Sequence, residues 1–226
     1  MREFVNATAS SRGLVSRPWD NGDPALDWEG YFIPGTGVLR NRVGATTAAT
    51  LRDAENDLVE ARVIELRETP RLLGSRTYDL GYLQSIHRHL FQDVYEWAGD
   101  LRTVGLEKGG EAFSPPGNIR QAMDHAAATI DELDRLRGVG PNHLAGKVAY
   151  IYDYVNFAHP FREGNGRCTR EFFDLLLAER RSGLDWELVE SAELYAACHE
   201  ARANGNLRGL VAMFERILDD EPAYFF

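Results

Sequence analysis

Apolar residues recur along this chain at three- and four-residue intervals, and each run predicts a helix with one buried face. Leu51, Ala54, Leu58, Ala61 and Ile64 make the first, entered at Thr50 as N-cap with Asp53 in its first turn. Leu83, Ile86, Leu90, Val94 and Trp97 make a second over residues 79–97, stopped by Gly99. Ile119, Met123, Ala126, Ile130, Leu133 and Leu136 make a third, opened by Asn118 and Gln121 in the manner of a capping box. Pro141 and Asn142 open a fourth through Leu144, Val148, Ile151 and Val155. It must end at His159, because Pro160 pushes the preceding residue out of the helical region. A fifth starts near Asn165, carries Phe172, Phe173, Leu176 and Leu177, and runs to about Arg181. Two more cover about 189–203 and 207–219.

The period breaks at residues 100–118. Arg102 to Leu106 reads as an extended stretch, Lys108-Gly109-Gly110 as a turn and Ala112-Phe113-Ser114 as a return, with Pro115-Pro116 preventing continuation. A small exposed β-hairpin is predicted there. Residues 1–20 are polar and expected to form a poorly ordered arm. Residues 21–45, with Trp28, Tyr31, Phe32, Pro34, Gly35 and Gly37, are expected to form an irregular segment laid over the core. The predicted architecture is therefore all-α: one helical domain over residues 46–219 with a hairpin, followed by a tail at 220–226.

Composition narrows the function classes. The 226 residues carry a formal net charge of −10, with 44% hydrophobic and 27% charged residues. Phosphate-backbone binding requires clustered Lys and Arg, so no direct nucleic-acid partner is expected. No apolar run is long enough to span a membrane, and the N-terminus lacks the apolar core of a secretory signal, so no membrane association is expected. The two cysteines, Cys168 and Cys198, form no CxxC pair and suggest no disulfide framework. A cytoplasmic protein is the expectation.

The chemistry concentrates in His159-Pro160-Phe161-Arg162-Glu163-Gly164-Asn165-Gly166-Arg167-Cys168-Thr169-Arg170. A Gly-Asn-Gly turn opening a helix aims several backbone N–H groups at one spot, an anion nest suited to phosphate. The Asn165 amide offers a further donor. Arg167 and Arg170, three apart, share a helix face and can fork onto successive phosphates. Glu163 is the one carboxylate of the segment and suits Mg²⁺, which keeps most of its waters and borrows substrate oxygens. His159 is the side chain able to take a proton from an attacking hydroxyl near neutral pH. Phe161 is expected to anchor the loop in the core. Taken singly, each part has an ordinary structural explanation: a helix-end histidine is usually a cap, Gly-Asn-Gly a turn, the arginines a solvated face. Their co-occurrence in one bend between two apolar helices is the inventory for in-line attack on a phosphate.

This segment resembles the signature of the Fic family, His-Pro-Phe-x-Asp/Glu-Gly-Asn-Gly-Arg-x-x-Arg, at every fixed position. His89 to Gly99 is similar to the helix and turn that precede the family's flap, and the Tyr31-Phe32 region resembles the lead-in of bacterial stand-alone members such as toxins of toxin–antitoxin pairs. The resemblance implies a helical Fic fold and a nucleotidyltransferase that moves AMP from Mg-ATP to a Tyr, Thr or Ser hydroxyl of a target protein, releasing pyrophosphate. It makes His159 the base and Glu163 the Mg²⁺ ligand. It gives phosphate binding to Gly164, Asn165, Gly166, Arg167 and Arg170. Thr103, Val104, Gly105 and Leu106 fall in the flap that holds the target strand-wise. Glycine at 166, where family kinases carry Lys, favours nucleotidyl transfer. Transfer of UMP or phosphocholine, and a non-catalytic nucleotide-binding module, stay open as alternatives.

Many Fic enzymes are silenced by a helix bearing Ser/Thr-x-x-x-Glu-Gly/Asn, whose glutamate pairs with the second motif arginine. No clean match exists here. Glu55-Asn56 stands one residue too far from Thr50, and Thr103 with Glu107 is followed by Lys108 in the predicted flap. Inhibition by a separate small antitoxin is therefore the expectation. Other motifs carry little. His87 and His89 are a poor metal pair, and Gly35-Thr36-Gly37 and Gly146-Lys147 lack the rest of their nucleotide-binding patterns.

Overall fold

The computed structural model describes residues 17–226. The first sixteen residues of the expected polar arm lie outside the described residues. Residues 17–20 depart from that expectation, because Trp19 is buried and stacks on Tyr31 at 6.1 Å.

Eight α-helices, three short 3₁₀ helices and two minute antiparallel strand pairs make up the regular structure of the described residues. The lead-in is less irregular than expected, since it holds α1 (Pro24–Gly30). The Asp23 carboxylate accepts from the Ala25 and Leu26 amides, and Pro24 fits the first helical position. A helix of seven residues is too short for its period to show. α2 (Ala48–Glu68) begins three residues earlier than the apolar stripe suggested, because Thr47 rather than Thr50 supplies the capping oxygen.

α3 (Leu80–Phe91) is capped by Asp79 and stops well before Trp97. Residues 92–99 turn instead, and still bury Val94, Tyr95 and Trp97. An apolar spacing alone cannot separate such tight turns from a continuing helix. The hairpin pairs β1 (Glu107–Lys108) with β2 (Glu111–Ala112), Glu107 opposite Ala112. α4 (Ile119–Glu132) follows a short 3₁₀ turn at 116–118, which holds Asn118 in a near-helical conformation, so its side chain makes no cap and the expected capping box is not formed. α5 (Pro141–Ala158) has the expected bounds.

α6 (Asn165–Ala178) is the central element and ends three residues short of Arg181. Phe172, Phe173, Leu175, Leu176 and Leu177 are all fully buried, and Asn165, Thr169, Glu171 and Asp174 are buried with them, so this helix is enclosed on most sides by others. α3 and α5 pack against it, α2 lies on α3, and α4 lies on α5. α7 (Ser191–Asn204) and α8 (Arg208–Ile217) close the bundle against α5. β3 (Gly183–Leu184) pairs with β4 (Leu218–Asp219), tying the exit of α6 to the end of α8. These two-residue strands carry no periodic signal. The expected tail is partly core: Tyr224 is 1% exposed and its hydroxyl donates to Glu171.

Candidate functional site

The segment singled out in the sequence is the bend between α5 and α6, and its backbone is held from within. Pro160 ends α5 at His159, which takes a left-handed conformation at φ 41°. Phe161 is fully buried and stacks on His87 at 3.8 Å. The Asn165 side chain accepts from the Phe161 amide at 2.9 Å and donates to the Phe161 carbonyl at 2.7 Å. Asn165 is thus a clamp that closes the bend, and it spends one of its two amide hydrogens in doing so. Gly164 enters α6 at φ +82°, where an added Cβ would lie 2.3 Å from the Phe91 ring. A Cβ on Gly166 would meet nothing within 4 Å, so packing within the chain does not demand glycine there. No side chain caps α6. Its first-turn amides therefore remain an open anion site.

A cavity of about 530 Å³ opens over this helix end. His159, Glu163, Asn165, Gly166 and Arg170 all line it, with Leu106 on the hairpin side. The His159 ring is half-buried and stacks face to face on Phe113, centroids 3.6 Å apart. Burial, and then the nearby Arg102 and Lys108 charges, lower its pKa to about 3, against a backbone hydrogen bond at Asn156 that works to raise it. The imidazole is neutral near pH 7 and able to accept a proton.

Two buried groups to which the sequence assigned no part in the site, Arg102 and His87, hold this arrangement. Arg102 is 2% exposed and ties the hairpin base to the end of α5. It donates to the carbonyls of His159 and Val104 at 2.7 Å and of Ser114 at 2.5 Å. Carbonyl partners let a buried guanidinium stay charged without a carboxylate, although burial lowers its pKa to about 10. His87 spends both ring nitrogens. Nδ1 accepts from the Gly99 amide at 2.8 Å, which leaves Nε2–H to donate to the Glu163 carbonyl at 3.0 Å. Burial lowers the His87 pKa to about 3. A histidine on the apolar stripe of α3 was the signal; nothing in the local sequence marked Arg102.

Of the expected flap residues, Thr103 donates its hydroxyl to the Trp19 carbonyl at 2.7 Å, and Val104 is buried with its carbonyl taken by Arg102. Gly105 is exposed, and the Leu106 carbonyl accepts from Phe113 at 3.0 Å. The paired hairpin therefore starts at Leu106, and Thr103 and Val104 are its anchored base. The Tyr195 hydroxyl from α7 donates to the Lys108 and Gly109 carbonyls at 3.2 Å and holds the tip. Arg162 lies over Trp28, Tyr31 and Phe32, at 4.5 Å from the Trp28 ring, which locks the lead-in onto the bend.

The two arginines part company. Arg170 lines the main cavity and also a neighbouring cleft between α2 and α6; Arg167 lines only the cleft. Arg167 forms an ion pair with Glu55 of α2, whose second oxygen receives the Tyr95 hydroxyl. Arg170 has no salt-bridge partner among the described residues. Its guanidinium lies over the Trp186 ring, 5.3 Å from the centroid. Glu55 lies on the buried face of α2 with Leu51, Val59 and Leu66, which corrects the expected stripe, since Ala61 and Ile64 are exposed. Trp186 stands alone between two acids and had no sequence signal.

Glu163 is exposed at the cavity and one of its oxygens accepts from the Gly164 amide at 3.0 Å. No group of three or more His, Cys, Asp or Glu side chains that could hold a metal ion exists among the described residues. A single carboxylate beside an anion cradle fits Mg²⁺ carried in with phosphates, not a dedicated protein cage. No described helix is long and apolar enough to cross a membrane.

Known proteins match this geometry and its sequence. A model of the Fic/DOC family matches residues 77–177. The protein adenylyltransferase VbhT of Bartonella schoenbuchensis is 34% identical over 190 residues, covering 84% of this chain but 39% of that protein. A probable protein adenylyltransferase Fic of Salmonella typhimurium is 30% identical over 190 residues, covering 84% of this chain and 92% of its own length. The crystal structure of BepC from Bartonella tribocorum with bound AMPPNP superposes with a TM-score of 0.78 at 26% identity, covering 86% of this chain and 97% of that one. With an intact signature segment on a matching helical scaffold, and a relative aligned over nearly its full length, this chain belongs to the Fic/DOC family.

Proposed function

We propose that this protein transfers AMP from Mg-bound ATP to a Tyr, Thr or Ser hydroxyl of a target protein, with release of pyrophosphate. The observation that carries the reading is a neutral imidazole at the lip of a cavity whose floor is an uncapped helix N-terminus flanked by Arg170. The uncapped amides of α6 hold inner phosphates, and Arg170 takes an outer one. His159 accepts the acceptor hydroxyl's proton as its oxygen bonds to the α-phosphorus and the bond to the β-phosphate bridging oxygen breaks. Glu163 would hold Mg²⁺, which when bound neutralises charge on the phosphates. The hairpin beside the imidazole presents the acceptor segment, with Leu106 and the 107–108 strand at the cavity wall. Adenylyltransferase names among the relatives support this reading.

The cradle reads phosphates and not the base, so donor choice needs its own test. The protein would be incubated with labelled ATP, UTP, CTP and GTP, Mg²⁺ and bacterial lysate, and adducts identified by mass spectrometry. Label from ATP that vanishes in His159→Ala supports AMP transfer; transfer only from another nucleotide, or binding with none, sinks it.

Arg170, without a salt-bridge partner among the described residues and beside an open cleft on α2, also supports inhibition by a helix of a separate antitoxin that brings its own glutamate. Glu55 does not serve that purpose here, because it engages Arg167. Addition of purified Arg170→Ala to an antitoxin-containing lysate, followed by pull-down, would show whether any such partner requires this guanidinium. The free thiols Cys168 and Cys198 fit a reducing compartment such as the cytoplasm.

A further inference from the structure

Five arginines line the main cavity and its neighbouring cleft; three are neutralised by carboxylates, and Arg162 is spent on the lead-in, its guanidinium lying over Trp28, Tyr31 and Phe32. Arg67 pairs with Glu171 at 3.1 Å and lies 3.6 Å from Asp174. Arg167 pairs with Glu55, and Arg202 donates to Asp153 at 2.6 Å. Arg170 is mounted differently. Its guanidinium lies over the Trp186 ring, and that ring is fixed in turn: its Nε1–H donates to Asp174 at 2.7 Å, and Asp174 is 1% exposed. A carboxylate mount would consume N–H donors and cancel the charge. An aromatic face holds a guanidinium through its plane and leaves all five N–H groups available at the edge.

We infer that Trp186, oriented by Asp174, is the positioning residue that presents Arg170 to the outermost phosphate of the nucleotide with its donors unspent. Trp186 lines the neighbouring cleft and not the main cavity, so it acts through Arg170 and does not touch the reacting atoms. Arg170 lies more than a helical turn beyond Gly164, where α6 begins, so it reaches past the phosphates held by the first-turn amides. The inference rests on the nucleotide-transfer reading and adds a cause for the strength of its terminal clamp.

Calorimetric titration of the full chain with AMPPNP, ADP and AMP in the presence of Mg²⁺ tests it. Trp186→Leu is expected to weaken AMPPNP by about 3- to 30-fold, the range of a partly desolvated cation–π contact, with AMP within about twofold. Trp186→Phe keeps an aromatic face and is expected to restore AMPPNP to within about threefold. In an Arg170→Ala background, Trp186→Leu should cause no further loss. Equal weakening of AMP and AMPPNP, or a loss that persists without Arg170, overturns the inference. If Trp186→Leu does not fold, Trp186→Phe and Asp174→Leu, which removes the acceptor for the indole N–H, carry the test: weakening of AMP by either as much as of AMPPNP also overturns it. Failure of the wild-type protein to bind AMPPNP overturns the nucleotide reading itself and the inference with it. Binding that ignores Trp186 overturns the inference alone.

Discussion

Arg167 and Arg170 sit three residues apart on α6 and look equivalent in the sequence, yet their surroundings differ. Arg167 meets a buried carboxylate, so its charge is already answered within the fold. Arg170 meets an aromatic face, so its charge is still to be answered from outside. His87 and His159 repeat the contrast. Both imidazoles are held neutral by burial, but His87 has a protein partner on each nitrogen, whereas His159 faces a cavity. In each pair the copy whose bonding capacity is unspent is the one able to act on a ligand.

This contrast breaks most readily at the histidines. His159→Ala is expected to lower transfer by about 10²- to 10⁴-fold while leaving nucleotide affinity unchanged. His87→Ala should instead lower the melting temperature, by leaving the Glu163 carbonyl and Gly99 amide without partners. Equal losses of rate in two equally stable variants would erase the distinction.

Arg170→Ala comes next, with an expected loss of about 10²- to 10³-fold in transfer and little change in thermal stability, since no buried carboxylate is left behind. Arg167→Ala should do the reverse to stability. It strands Glu55, whose side chain is 9% exposed, and a loss of about 3 kcal/mol is expected by denaturant titration. Glu55→Gln in that background should recover part of the loss. If it recovers nothing, the ion pair is not what Arg167 contributes.

The contrast also bears on pH dependence. Unfolded imidazoles take up protons below about pH 6.5, whereas His87 and His159 in the fold do so only near pH 3. Between these values the unfolded chain binds more protons, so stability should decline as pH is lowered through 6.5 towards 3. The rate profile should show no acid limb between pH 6 and 8. A limb centred near 6.5, traced to His159 by mutation, would contradict the burial argument.

Most helices were legible because one buried face per helix imposes a period that survives without knowledge of partners. Where the chain turned tightly, as at 92–99, apolar spacing imitated a continuing helix. The two-residue strands at 183–184 and 218–219 were too short to leave any pattern. The site was legible as a list of residues, since Pro160 sets the end of α5 and glycine opens α6 locally. Its division of labour was not. Asn165 proved to be a clamp on Phe161, the hairpin pairs only from Leu106 onward, and the tail at 220–226 contributes Tyr224 to the core.

Local covalent and conformational rules therefore determined the helices, the bend and the chemistry carried on it. Tertiary structure decided which of those groups remain free. A guanidinium's availability depends on what lies across from it, and Glu55 and Trp186 are 112 and 16 residues away from the arginines they hold. No short-range pattern carries that information, because the field and the hydrogen bonds at a side chain are set by neighbours in space.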